Sequence, residues 1–90
     1  MTNVRWTDHA LESLADRAIE RDEADKTLSE PTLTRPGHEN RTIFMRRYRD
    51  KALGQEMVLC VVTEPRGDEI AVVTVYKTSK IEKYLGGGAR

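Results

Sequence analysis

The sequence predicts an α+β fold in which two N-terminal helices pack on a three-stranded antiparallel sheet, followed by a short C-terminal segment. Three observations lead to this prediction. Apolar residues recur at helical spacing between positions 11 and 18, strand-like apolar runs fill the second half, and Pro65-Arg66-Gly67-Asp68 has the composition of a tight hairpin turn. The order helix, helix, strand, strand, strand therefore favours a meander covered by helices on one face.

Each helix has a recognisable beginning or end. Thr7 or Asp8 is a suitable cap for a first helix starting near His9, whose buried stripe contains Leu11, Leu14, Ala15 and Ala18. A second helix is expected from Arg21 to Ser29, with Ile19 packing over its first turn. Pro31 ends it, because the residue before a proline avoids helical angles.

The remaining chain divides into a loop, three strands and a closing segment. Residues 31–40 contain prolines, Gly37 and Asn40 and are expected to form a loop. The predicted strands cover 41–49, 56–64 and 69–77, and the second is apolar on both faces, as a central strand is. Because two helices cover only one face, the other needs the N-terminal segment, with Val4 and Trp6, or a dimer partner. Residues 78–85 are helical or irregular, anchored by Ile81, Tyr84 and Leu85.

Length and charge limit the function classes. Ninety residues are expected to form one domain over residues 1–85, with a flexible glycine-rich tail at 86–90. Fifteen basic and fifteen acidic residues balance, which argues against a protein built mainly to coat nucleic acid. The charges are nevertheless segregated: residues 12–30 hold seven acids and three bases, and residues 41–51 hold five bases and one acid. This pattern favours an acidic and a basic side; the alternative is a mixed solvated surface.

Several kinds of site are not supported by the sequence. Cys60 is the single cysteine and lies in an apolar run, so a buried thiol is expected rather than a disulfide or metal ligand. His9 and His38 are isolated, and no glycine-rich phosphate loop occurs. We therefore predict no metal and no cofactor. No basic-then-apolar leader and no membrane-spanning run is present, so a cytoplasmic location and no membrane association are expected.

The residue types that remain suit metal-independent chemistry on a phosphodiester. Cleaving RNA through its own 2′-hydroxyl needs a base, an acid and cations that stabilise the transition-state charge. The candidate catalytic residues combine these types with aromatic rings that stack on bases: His9, Arg46, Arg47, Tyr48, Lys80 and Tyr84. The alternative is that these charges only solubilise strand ends, that His9 is a surface residue and that Tyr84 is a packing anchor.

Two blocks of the chain resemble a known family. His9-Ala10, Arg17-Ala18-Ile19 and a short helix ending at Leu28 and Pro31 form the first block, and the second runs from Met57 through Tyr76. Together they resemble the domain-of-unknown-function family 4258, which is similar in layout to BrnT-like members of the RelE/ParE toxin superfamily. The resemblance covers roughly residues 7–84. It implies helices on an antiparallel sheet, a toxin–antitoxin context, and basic and aromatic site residues such as Arg46, Arg47, Tyr48, Lys80 and Tyr84.

Three hypotheses about function follow. The first is a toxin-like protein that cleaves mRNA without metal as an endoribonuclease, or a degenerate relative of one. The alternative is a non-enzymatic protein-binding module or homodimer. The third is a nucleic-acid binder without catalysis, whose affinity falls with salt. The corresponding candidate partners are RNA or the ribosome, an antitoxin protein and a second copy of the chain.

Overall fold

A computed structural model describes residues 3–86 as one five-stranded mixed sheet with helices on both faces. The elements in chain order are β1 (Asn3–Trp6), α1 (Asp8–Asp16), α2 (Arg21–Ser29), β2 (Leu33–Pro36), β3 (Thr42–Asp50), β4 (Gln55–Arg66), β5 (Glu69–Thr78) and α3 (Ile81–Leu85). The strand order is β1-β5-β4-β3-β2, with β1 parallel to β5 and the other pairs antiparallel. The α+β class holds, but the prediction of a three-stranded antiparallel sheet is wrong.

The two additional strands are both four-residue edge strands. β2 lies inside the segment predicted as a loop and pairs with β3 from Leu33 opposite Met45 to Pro36 opposite Thr42. β1 pairs with the first half of β5, with Trp6 opposite Val72. Val4 and Trp6 therefore extend the sheet sideways instead of covering its free face. Strands this short show too few alternations for a periodic signal, which is why the sequence did not reveal them.

The main core lies between the sheet and helices α1 and α2. Ala10, Leu14, Ile19 and Ala24 pack there against the inward residues of the central strands, which are Met57, Leu59, Val61, Val72 and Val75. Thr7, one of the two predicted caps, accepts a hydrogen bond from the Ala10 amide at 3.1 Å. The predicted buried stripe of α1 is wrong except at Leu14: Ala10 and Ser13 are buried beside it, whereas Leu11, Ala15 and Ala18 are exposed. The helix bounds at 21–29 agree with the prediction.

A tight reversal joins α1 to α2. The Ile19 amide donates to the Leu14 carbonyl at 2.9 Å, and the Ala18 amide donates to the Ala15 carbonyl at 3.3 Å. This is the Schellman arrangement, in which the residue after the cap adopts the left-handed conformation. Ala18 occupies that position with φ of 54°. The reversal turns Ile19 into the core, where it packs with Leu14 and Ala24.

The short helix α3 covers the centre of the opposite face. Ile81, Tyr84 and Leu85 pack there against a buried cluster formed by Met45, Val58 and Cys60. This face was expected to be covered by the N-terminal segment or a dimer partner, and α3 performs that role within the chain. Of the predicted glycine-rich tail, Gly86 follows α3 with φ of 73°, and residues 87–90 lie outside the described residues.

The turn between β4 and β5 is shorter than the sequence suggests. β4 continues through Pro65 to Arg66, so Gly67 and Asp68 alone form the turn, with φ of 61° at Gly67. Pro65 is tolerated in this strand because the pairing of β3 with β4 already ends at Thr63. Over residues 3–86, none of the three helices combines the length and the apolar content needed to cross a bilayer.

Candidate functional site

The basic run on β3 is divided between the two faces of the sheet. Successive side chains of a strand point to opposite faces, so Arg46, Tyr48 and Asp50 point towards α1 and α2. Arg47 and Arg49 lie on the α3 side, the same side as Met45. The four-residue sequence that suggested a single site therefore contributes to two separate surfaces.

Arg46 ties the sheet to α2. Its guanidinium forms an ion pair with the carboxylate of Glu23 and donates to the Glu23 carbonyl at 3.2 Å. Its Nε donates to Thr27 Oγ1 at 3.3 Å, and Thr27 is fully buried. The Arg46 side chain is only 17% exposed. These contacts leave little of the guanidinium free for a ligand, so we assign Arg46 to holding α2 on β3.

Tyr48, Asp50 and Lys77 form a buried polar network beside Arg46. Tyr48 Oη and Lys77 Nζ each donate to Asp50 Oδ2 at 2.7 Å, and the Leu53 amide donates to Asp50 Oδ1 at 2.9 Å. Lys77 Nζ also donates to the Ala18 carbonyl at 3.1 Å. Asp50 is 3% exposed. The network thus joins the ends of β3 and β5, the β3–β4 turn and the reversal between α1 and α2.

The pKa values of the network make it poorly suited to acid–base chemistry at neutral pH. Burial acts to raise the pKa of Asp50, but hydrogen bonds from Lys77, Tyr48 and the Leu53 amide outweigh burial and lower it to about 2. Burial raises the pKa of Tyr48, and its hydrogen bond to Asp50 raises it further. Asp50 is therefore a stabilised carboxylate and Tyr48 a neutral phenol, neither with a pKa near the working range of a catalytic group.

A small pocket opens next to this network. Its walls are formed by the α1–α2 reversal, the start of α2 and the β3–β4 turn, through Ala18, Glu20, Glu23, Tyr48, Arg49, Asp50, Lys51 and Ala52. The cavity of about 40 Å³ has room for no more than a few water molecules. Among the described residues, no group of three or more histidines, cysteines and carboxylates lies close enough to hold a metal ion. A nucleobase does not fit in this pocket.

The six predicted site residues lie in three places. Arg46 and Tyr48 belong to the buried side beneath α2, and His9 is exposed on α1. Arg47, Lys80 and Tyr84 are on the α3 side of the sheet. Arg47 pairs with Glu56 at 3.2 Å with its side chain 55% exposed, Lys80 precedes α3 and is exposed, and Tyr84 is half-buried. Of the six, only Arg47, Lys80 and Tyr84 therefore lie on the same side of the sheet.

The α3 side of the sheet is rich in arginine. Cross-strand partners share a face, so the pairing of the strands identifies which charged side chains lie on this side. Among residues 3–86, the pairing places five arginines (Arg5, Arg35, Arg47, Arg49, Arg66) and three glutamates (Glu56, Glu64, Glu69) on this side. Arg41 joins them through its ion pair with Glu64. The α3 segment adds two cations, Lys80 and Lys83, against one acid, Glu82. We call this surface the basic face.

The helix side has the opposite charge. The segment 8–30, which forms α1 and α2, contains eight acidic and three basic residues. We call it the acidic layer. Since α1 and α2 pack on one face of the sheet and the arginines occupy the other, the neutral chain has two sides of opposite sign. The division follows the charge runs that are visible in the sequence.

The partners that immobilise the inward charges were missed by the sequence reasoning. Glu23, Asp50 and Lys77 were not singled out as functional, yet Glu23 holds the inward guanidinium of Arg46 and Asp50 holds the ammonium of Lys77. A signal was present for two of them, because Asp50 and Lys77 continue the inward alternation of Tyr48 and Val75 at the ends of their strands. A charge at an inward position is rarely buried without a partner.

Comparisons with known proteins identify a family. Residues 6–77 match a family model whose description is Domain of unknown function (DUF4258). No curated protein and no solved structure matches the chain. The matched region contains α1, α2 and the strands from β2 to β4, and it ends one residue before the end of β5, so α3 lies beyond it. Because this region covers most of the sequence, the chain belongs to the DUF4258 family.

Proposed function

We propose that this protein binds RNA through the basic face of its sheet. The observation that carries the proposal is the separation of charge, with the arginines on one side and most of the acids on the other. A neutral protein attracts a polyanion when its positive charges are gathered on one surface, because the local potential and not the net charge acts on a nearby phosphate. The acidic layer then lies on the far side of the sheet.

The arginines of the basic face are available to phosphates even though several have carboxylate partners. Arg41, Arg47 and Arg66 each form an ion pair, but their own side chains remain 40%, 55% and 48% exposed. Exposed pairs of this kind contribute only about 0–1 kcal/mol each. A phosphate offers a guanidinium a charge-assisted, two-pronged hydrogen bond, which competes well with such a pair. The buried pair of Arg46 is not available in this way.

The α3 segment supplies an aromatic group beside the cations. Tyr84 is half-buried on the sheet, and Lys83 Nζ lies 5.9 Å from the centre of its ring. Single-stranded RNA is recognised largely by bases stacked on aromatic rings while basic groups follow its backbone. Tyr84 with Lys83 and Lys80 fits that combination, which supports RNA over a featureless polyanion.

RNA cleavage is the more specific form of the proposal and rests on the resemblance to BrnT-like and RelE/ParE toxins. In this form the protein is a metal-independent endoribonuclease of toxin type. Arg47 and Lys80 stabilise the charge that develops on the phosphate, and Tyr84 orients a base. His9, Arg46 and Tyr48 are left out of the proposed catalytic set, because they lie away from these three residues.

Binding is tested with a fluorescein-labelled uridine 12-mer, with affinity measured by anisotropy from 20 to 200 mM salt. We expect affinity to fall with salt, and Arg47→Gln with Lys80→Gln to weaken binding at least five-fold. A matched double variant, Arg21→Gln with Lys26→Gln, removes two charges from the acidic layer and is expected not to weaken binding at 150–200 mM salt, where charges on that side are screened. Absence of binding by the folded wild type at 20 mM salt would overturn the proposal and favour the protein-binding module.

Cleavage is tested separately by inducing the wild-type chain in cells and following growth and bulk RNA integrity. Arrest with fragmented RNA, abolished by Arg47→Gln with Lys80→Gln, is the result expected of an endoribonuclease toxin. Normal growth with intact RNA, from soluble protein that binds the 12-mer in vitro, would leave binding as the function and remove cleavage. Arg47 and Lys80 are both exposed, so the double variant is expected to fold, and a loss of activity can be attributed to the lost charges.

A further inference from the structure

Building on the proposed RNA function, we propose that the basic face selects single-stranded RNA over duplex, because α3 stands between two arginine clusters that one strand contacts together. The first cluster is Arg41 and Arg66, which share Glu64. The second cluster is Arg47 and Arg49, beside Glu56. This inference names the form of the nucleic acid and the path that it takes, which the charge separation alone does not specify.

The two clusters lie at opposite ends of the same strands. Arg41 Nε contacts Glu64 Oε1 at 3.2 Å, and Arg66 Nη2 contacts Glu64 Oε2 at 2.9 Å, where β3 begins and β4 ends. At the other end, Arg47 Nε contacts Glu56 Oε1 at 3.2 Å, where β3 ends and β4 begins. From residue 41 to residue 47, a strand rising about 3.3 Å per residue covers about 20 Å.

The helix α3 occupies the space between the clusters. On this face of β3, the only residues between Arg41 and Arg47 are Ile43 and Met45, and both belong to the apolar surface on which α3 packs. Met45 lies opposite Cys60 on β4, and Cys60 and the nearby Val58 are fully buried under the same cover. An α-helix with its side chains is about 10–12 Å across, so α3 rises from the sheet as a ridge.

A ridge of this height affects single strands and duplexes differently. A nucleic-acid duplex is stiff, and bending one by tens of degrees costs several kcal/mol even over 20–30 base pairs. A short duplex laid on this face therefore rests on α3 and fails to reach one or both clusters. A single strand rotates freely about its backbone bonds and passes round or over the ridge. Lys83, exposed on α3, then lies near its path and offers a cation between the two clusters.

The test compares fluorescein-labelled uridine 4-mer, uridine 12-mer and a 12-base-pair RNA duplex at 100 mM salt. A 12-mer can occupy a four-nucleotide site in about nine registers, which alone makes it bind about nine-fold more tightly than a 4-mer. Simultaneous contact with both clusters must raise its affinity by more than that factor. We expect the 12-mer to bind at least 30-fold more tightly than the 4-mer and at least ten-fold more tightly than the duplex.

Two double variants assign the contacts. Arg41→Gln with Arg66→Gln removes the first cluster, and Arg47→Gln with Arg49→Gln removes the second. Each is expected to weaken 12-mer binding at least five-fold and to lower the slope of log affinity against log salt by about 0.7 for each phosphate that the variant no longer neutralises. Arg21→Gln with Lys26→Gln is the matched control on the acidic layer. Unchanged circular dichroism and melting temperature verify that each variant is folded.

The outcomes separate this inference from the proposed function. Lack of binding to all three RNAs, even at 20 mM salt, contradicts RNA binding itself. Binding of the 12-mer with the duplex equally tight or tighter leaves RNA binding in place and overturns the role of α3. A 12-mer that binds less than nine-fold more tightly than the 4-mer, or that responds to only one double variant, overturns the path across both clusters.

Discussion

At the scale of single residues, the Lys77–Asp50 contact stabilises the fold more than any exposed ion pair of the basic face. Both side chains are largely buried, and Lys77 satisfies two acceptors, Asp50 and the Ala18 carbonyl. Asp50→Ala leaves the Lys77 charge buried without its partner, a change that typically costs about 3–5 kcal/mol. We expect urea unfolding to show a loss of this size, against less than about 1 kcal/mol for Arg47→Gln. Equal losses in the two variants would contradict the structural role.

The same pair predicts how stability depends on pH. The pKa of Asp50 is lowered from 3.8 to about 2 in the folded state, so the stabilisation is complete above the unfolded value. It is lost as the pH falls from about 4 towards 2, and amounts to about 2 kcal/mol. Urea unfolding of wild type and Asp50→Asn between pH 2 and 6 measures it. We expect the difference between the two proteins to shrink below pH 4; a constant difference would contradict the lowered pKa.

At Ala18 we predict a substitution that stabilises the fold. Its φ of 54° in the reversal after α1 is a conformation that costs a residue with a β-carbon about 1–2 kcal/mol. Glycine adopts it without that cost but loses more entropy on folding. We expect Ala18→Gly to raise the free energy of unfolding by about 0.5–1 kcal/mol. The control is Ala15→Gly, the same chemical change inside α1, which should lower it by about 1 kcal/mol. Destabilisation by both would contradict the strain at Ala18.

At the scale of elements, the sequence predicted the helices and strands that depend on residues close together in the chain. The Thr7 cap and the long two-sided strands are properties of neighbouring residues, and each led to an element with nearly the right bounds. The helical spacing in α1 predicted a helix but not its buried side, since Ala10 and Ser13 face the core with Leu14 and Leu11 is exposed. β1 and β2 depend on pairing with other strands. β1, for example, pairs with β5, where Trp6 lies opposite Val72, 66 positions away in the sequence. The basic run was read as one site because four adjacent residues look continuous in sequence, whereas the alternation of β3 places Arg46 and Arg47 on opposite faces.

The helix α3 is the element held most weakly by its own sequence. Five residues are too few for a stable isolated helix, so its formation depends on packing of Ile81, Tyr84 and Leu85. Cys60, the single cysteine, is fully buried under α3. Burial raises the pKa of its thiol to about 11 and shields it from reagents, so the reactivity of Cys60 measures how often α3 opens.

We therefore expect Ile81→Ala to increase the rate at which Cys60 reacts with Ellman's reagent by at least five-fold. Leu11→Ala, at an exposed leucine of α1, is the matched control and should leave the rate unchanged. The two melting temperatures, measured alongside, distinguish local opening from global unfolding. Reaction rates that rise only in proportion to the loss of global stability would contradict independent opening of α3.

At the scale of the whole molecule, the sheet separates two opposite charges that a zero net charge conceals. The smallest dimension of the described chain is 22 Å, which sets the order of the distance between the acidic layer and RNA on the basic face. Screening lengths are about 30 Å at 0.01 M salt and about 8 Å at 0.15 M. The acidic layer therefore repels an approaching RNA at low salt, and its influence is screened at physiological salt.

Neutralising two acids of α1 should therefore affect RNA association only where the salt concentration is low. Glu12→Gln with Asp16→Asn changes the net charge from zero to +2 at exposed positions of α1, on the opposite side of the sheet from the arginines of the basic face. We expect faster association with the uridine 12-mer in stopped-flow anisotropy at 10 mM salt, by about two- to five-fold, and no change at 150 mM. Arg21→Gln with Lys26→Gln should slow association at 10 mM only. An acceleration that persists at 150 mM would mean that RNA contacts the helices directly, and the binding surface would then have to be reassigned from the basic face to the helix side.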